Sequence, residues 1–104
     1  MSQLSKLKDA LKKFAGANNI DETNGSDEYQ QTEYWLDVDG HSLRVEIRLY
    51  TTNSTGYRRP MWALFTYAQD GPEEVPLGRG NPEDTLEMAF ISYQWNEVKQ
   101  YLNS

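Results

Sequence analysis

The stretch WLDVDGHSLRVEIRLY, residues 35 to 50, holds the side chains best suited to chemistry: Asp37, Asp39 and Glu46 around Gly40, with His41, the one histidine of the chain. If Gly40 is the sixth residue of a twelve-residue calcium loop, Asp37, Asp39 and Glu46 fall on the third, fifth and twelfth positions, which all carry oxygen ligands. The first position is then Trp35, which offers no oxygen, and the flanks alternate with period two where helices are required. The same residues read better as a β-hairpin. Asp39-Gly40 suits a type I′ turn, whose two central residues need positive φ, and the expectation is that no metal binds there.

Other catalytic patterns are weaker. His41 would have to serve any Ser-His-Asp arrangement, yet no glycine-flanked serine of the nucleophile-elbow kind accompanies it, and a histidine at a strand end is expected to be solvated. LGRGNP, residues 77 to 82, sets Gly78 and Gly80 before a helix start, where backbone amides can meet an anion. It lacks the lysine and hydroxyl of a phosphate-binding loop and the third glycine of a dinucleotide fingerprint, so no cofactor is expected. The 16 acidic residues could form catalytic or metal-binding pairs, but no spacing singles out any pair, and the expectation is that the chain is not an enzyme.

The elements that position these residues can be read from periodicity. Leu4, Leu7, Leu11 and Phe14 predict a short amphipathic helix stopped by Gly16. Its other face is lysine; it is expected to dock on a sheet and not on a membrane. Residues 17 to 28, ANNIDETNGSDE, read as a polar connection.

Strands are predicted from about Gln31 to Val38 and from about His41 to Tyr50. A turn at Asp39-Gly40 sets Leu36 opposite Leu43, Tyr34 opposite Val45 and Trp35 opposite Arg44, which puts the apolar pairs on one face. After the connection TTNSTGYRRP, a third strand from about Met61 to Gln69 is apolar on both faces, with Met61, Ala63, Phe65 and Tyr67 on one and Trp62 and Leu64 on the other. Asp70-Gly71 repeats the turn signal. A fourth strand within Glu73 to Leu77 is confined to an edge by Pro72 and Pro76, which cannot donate to a ladder.

NPEDTLEMAF opens a carboxy-terminal helix capped by Asn81 or Asp84. Met88, Ile91, Trp95, Val98 and Leu102 form its stripe, widened by Leu86, Phe90, Tyr93 and Tyr101, and the poor helix formers of Tyr93-Gln94-Trp95-Asn96 are a natural place for a break. The fold class expected is α+β: a two-layer sandwich with an amino-terminal helix, an antiparallel meander of three or four strands, and a carboxy-terminal helix packed on one face of the sheet.

The chain has 104 residues and no cysteine, which fits a single domain over residues 1–104 that needs no disulfide staple. MSQLSKLKDALKKF lacks the apolar run of a signal peptide, and a cytoplasmic location is expected. Asn24-Gly25-Ser26 and Asn53-Ser54-Thr55 then read as turn chemistry and not as glycosylation sites. The net charge of -6 argues against direct binding of nucleic acid or an anionic membrane.

On the helix-free face the alternation gathers Trp35, Arg44, Arg48 and Tyr50, with Trp62 as a candidate fifth member. These are the residue types that carry interface hot spots, although a cross-strand contact of Trp35 on Arg44 would also account for that pair. The function expected is a small acidic adaptor or inhibitor that binds another protein, or a second copy of itself, through this face. Two alternatives stand beside it: an acidic mimic that inhibits a DNA- or RNA-binding protein by occupying its phosphate site, and a small enzyme or ligand-binding domain that uses surface carboxylates.

Overall fold

A computed structural model of the chain describes residues 3–28, 31–50, 60–69 and 72–104. The amino-terminal helix, α1 (Gln3–Ala15), ends at Gly16, whose φ of 73° is the left-handed conformation that stops a helix cheaply. Five strands follow as an antiparallel meander: β1 (Ile20–Glu28), β2 (Gln31–Val38), β3 (His41–Tyr50), β4 (Met61–Ala68) and β5 (Val75–Leu77). Two short helices, α2 (Leu86–Ser92) and α3 (Asn96–Leu102), complete the chain. This is the expected α+β arrangement with one strand more than the periodicity shows.

The hairpin register matches the turn chemistry. Leu36 faces Leu43, Tyr34 faces Val45 and Trp35 faces Arg44, while Asp39 (φ 51°) and Gly40 (φ 87°) supply the two positive φ angles of the turn. Leu36, Leu43, Val45 and Ile47 are buried in one cluster with Leu7 and Leu11 of α1, Phe90 of α2 and Val98 of α3, so the helices share one face of the sheet.

The extra strand is β1, where a polar connection was expected. Its sequence lacks alternation because it needs little: Ile20 packs against the core, and the strand is tied in at its first end and in its middle. The Asp39 carboxylate accepts the backbone N–H of Asn18 and, at 2.7 Å, that of Asn19, and the Asp39 N–H donates to the Asn19 carbonyl. Those two amides hold the Asp39 carboxyl below its usual range. At the register shift between Glu22 and Asn24, the Thr23 hydroxyl donates to the Trp35 carbonyl. An acidic, bulged strand is a protected sheet edge.

The expected carboxy-terminal helix is two helices. Thr85, and neither Asn81 nor Asp84, is the N-cap of α2, its hydroxyl accepting the Met88 N–H at 3.1 Å. Tyr93 then turns extended, the helical phase is lost, and Met88 and Ile91 are left exposed while Tyr93 and Trp95 are buried. The Trp95 indole donates to the Phe90 carbonyl at 2.8 Å, closing the break.

Tyr93 does more than fill space. Its hydroxyl accepts the Thr66 backbone N–H at 3.2 Å, lies 2.8 Å from the Thr66 hydroxyl and donates to the Leu77 carbonyl. A phenol thus stands in the ladder between β4 and β5 where a direct backbone bond would otherwise run. Burial pushes the Tyr93 phenol up, against the opposing pull of its bonds from Thr66.

Candidate functional site

The face opposite the helices is built by three strands in register. Trp35 and Glu33 of β2 lie across from Arg44 and Glu46 of β3. Arg44, Glu46, Arg48 and Tyr50 lie in turn across from Tyr67, Phe65, Ala63 and Met61 of β4. Alternation sends all of these side chains to the same side.

Charge is organised tightly there. The Arg44 guanidinium bonds the carboxylates of Glu46 and Glu74, with Glu33 at 3.3 Å, and stacks 4.3 Å from the centroid of the Tyr67 ring. Arg48 donates to the second Glu46 oxygen at 2.6 Å and lies 4.7 Å from the Phe65 centroid. Glu46 is therefore only 5% exposed on a face that no helix covers. Its burial pushes the carboxyl up, but the hydrogen bonds and charges of Arg44 and Arg48 outweigh this and hold it below the usual carboxylate range. Glu74, bonded by Arg44, is lowered too.

Of the five residues expected at this face, Trp35, Arg44, Arg48 and Tyr50 are brought together and Trp62 is not. Trp62 pairs with Leu49 and packs against the helix-side core, and its backbone forms an isolated bridge with Glu83. Arg44 stacks on Tyr67, its neighbour on β4, so the expected contact with Trp35 is not what holds its guanidinium. Phe65, Tyr67 and Glu74 belong to the site and were not among the expected residues; Glu46 belongs to it as well, on the face that the alternation gives it, although it was not among the expected binding residues. The alternation of the third strand separates Phe65 and Tyr67 from Trp62, but a connection as long as TTNSTGYRRP leaves the register between β3 and β4, and hence the choice of face, undetermined. That connection, apart from Pro60, and the Asp70-Gly71 turn signal lie outside the described residues.

The remaining chemical candidates are absorbed by structure. Asp37 accepts the Gly40 N–H at 3.0 Å and Asp39 serves Asn18 and Asn19, which is hairpin chemistry. His41 packs on the Tyr101 ring at 5.0 Å. The Gly78 N–H donates to the Glu97 carboxylate at 2.7 Å, so the LGRGNP loop gives that amide to a side chain and not to an anion. Among the described residues no group of three or more His, Asp or Glu side chains is placed to hold a metal ion, and no helix is long and apolar enough to cross a membrane. No protein family, curated protein or solved structure matches the chain.

Proposed function

We propose that this chain is a non-catalytic binding module that docks another protein on the face of Trp35, Arg44, Arg48 and Tyr50, extended by Phe65 and Tyr67. The observation that carries this reading is the pairing of each arginine with both an aromatic ring and Glu46. Such mutual packing fixes long side chains before a partner arrives, which lowers the ordering cost of binding, and leaves flat aromatic area beside guanidinium groups, the composition of binding hot spots. The sheet edges offer less: β1 is acidic and bulged, and β5 is three residues long and contains Pro76, so strand addition along either is disfavoured.

Capture from cell lysate by the intact chain, compared with Trp35→Ala and Tyr50→Ala, tests the reading. Both variants lose the partner while their melts stay close to that of the parent; equal capture by all three contradicts it. Reversing Arg48 to glutamate is a poor probe, because it sets a second carboxylate beside the buried Glu46.

A second reading, mimicry of a nucleic acid, is supported by Asp21 facing Asp37 across β1 and β2 beside exposed Glu22. Like charges placed opposite each other cost stability, and a phosphate-binding partner would relieve that cost. Capture would then fall steeply with salt and with Asp21→Asn, and nucleic acid would compete for the partner.

A further inference from the structure

The sheet has an opening at its β4 edge. β5 pairs with Thr66, Tyr67 and Ala68 and ends at Leu77. Trp62 bonds Glu83 in both directions, N–H to carbonyl at 2.7 and 2.8 Å. Had the register of β4 and β5 continued, Asn81 would face Trp62; the chain takes two residues more, and residues 78 to 82 arch away from the sheet.

The arch is held off by the break between α2 and α3. The Gln94 N–H donates to the Arg79 carbonyl at 2.7 Å and the Gly78 N–H to Glu97. Gly78 and Gly80 lie so close to Tyr93 that a Cβ on either would meet its ring at 2.8 and 2.7 Å. Beneath the arch is a hollow of about 290 Å³ whose lining includes Leu64, Tyr67, Pro76, Arg79, Asn81 and Tyr93.

The Trp62 N–H and carbonyl face this edge, and so does the Thr66 N–H, which meets Tyr93. Strand alternation therefore turns the N–H and carbonyl of Leu64, midway between them, toward the hollow. β5 has ended and Glu83 has not begun at that level, so among the described residues no strand meets them. Arg79 stands exposed in the lining and makes no ion pair among the described residues.

We infer that this hollow receives the carboxy-terminal residue of a peptide. The last residue's N–H donates to the Leu64 carbonyl, one carboxylate oxygen accepts the Leu64 N–H, and the other meets Arg79. One peptide residue thus fills the missing rung of the ladder, which is strand addition confined to a single position, and the guanidinium selects a free carboxylate over an amide. The hollow borders the Trp35 face, since Tyr67 lines both, but its proposed bonds are to Leu64 and Arg79, and it stands or falls without Trp35.

The test is amide chemical-shift mapping on the isotope-labelled full chain, titrated with a pool of random tetrapeptides bearing free carboxyl ends. The Leu64 and Arg79 amides shift with this pool. The response is about tenfold weaker with the same pool amidated, or with Arg79→Gln, while Trp35→Ala leaves it unchanged. Because Arg79 is an exposed side chain, Arg79→Gln keeps the parent melt. A Leu64 amide that does not move at millimolar peptide, or that moves equally for acid and amide pools, overturns the inference. A mixture of free amino acids that matches the peptide pool overturns the peptide as occupant.

Discussion

Arg44 and Glu46, two residues apart on one face of β3, form an ion pair whose carboxylate is buried without any helix above it. The cover comes from the pair's own neighbours, Arg48 and the rings of Phe65 and Tyr67. Glu46→Gln leaves two guanidinium groups short of a charged acceptor and costs about 1–3 kcal/mol, reduced from the value for a dry pair because Arg48 remains partly in water. Urea unfolding measures this; an unchanged midpoint would show that the network contributes nothing to stability.

The same network sets the acid limb. Glu46 and Glu74 are held below their usual value of 4.5 in the folded chain, so the unfolded chain binds protons first. Their contribution is complete above about pH 4.5 and is lost as pH falls through the lowered native values. The urea midpoint therefore drops on acidification, and Glu46→Gln drops less steeply. Parallel curves for the two proteins would contradict the assignment.

Tyr93→Phe removes the hydroxyl that bridges Thr66 and Leu77 and takes away the acceptor of the buried Thr66 N–H, while the Leu77 carbonyl keeps the Thr66 hydroxyl, at a cost of about 1–3 kcal/mol. The alkaline limb carries a second signature. The Tyr93 phenol is raised from its usual 10.0 by burial, so the folded chain keeps its proton longer than the unfolded one, and stability is full below about pH 10 and lost above it. The phenylalanine variant loses less of its stability there because it lacks the Tyr93 phenol, and some loss remains because Tyr67, also raised by burial, still titrates.

Ile47→Ala and Phe90→Ala each cost about 2–5 kcal/mol, the range for emptying core volume. Ile47 lies on the sheet and Phe90 on α2, in one cluster, so thermal melts that show no loss in either would reject the packing of the helices on this face.

Calcium does not raise the melting temperature. A saturated site would add about 2.7 kcal/mol at a hundred times its dissociation constant, so a calcium-dependent rise abolished by Asp37→Asn would show that the Asp39-Gly40 hairpin also serves as a metal loop.

The parts legible in the sequence are those where two local signals agree. Asp39-Gly40 and the alternation around it name the same register, and the register of β2 and β3 follows residue by residue. The weak helix formers near Tyr93 mark the break between α2 and α3. What stayed hidden depends on distant contacts. β1 exists because Asp39 anchors Asn18 and Asn19 from twenty residues away, and Trp62 lies on the helix side because Glu83 and Leu49 hold it there. Glu46 reads as an ordinary solvent-facing residue between Arg44 and Arg48 in the alternation, and only the register of β3 against β4 adds the rings of Phe65 and Tyr67 that help to bury it.

The claim that the face of Trp35, Arg44, Arg48 and Tyr50 is the binding surface is tested most directly by hydrogen exchange on the full chain, alone and with a saturating amount of the protein it captures. Exchange is the right probe because a partner seated on this face slows opening of the strands beneath it. The account predicts added protection in residues 44 to 50 and 61 to 67, none in α1, and its loss with Trp35→Ala. Protection confined to β1 and lost at high salt, or a complex that protects α1 and α2 and leaves β3 and β4 unchanged, would contradict it.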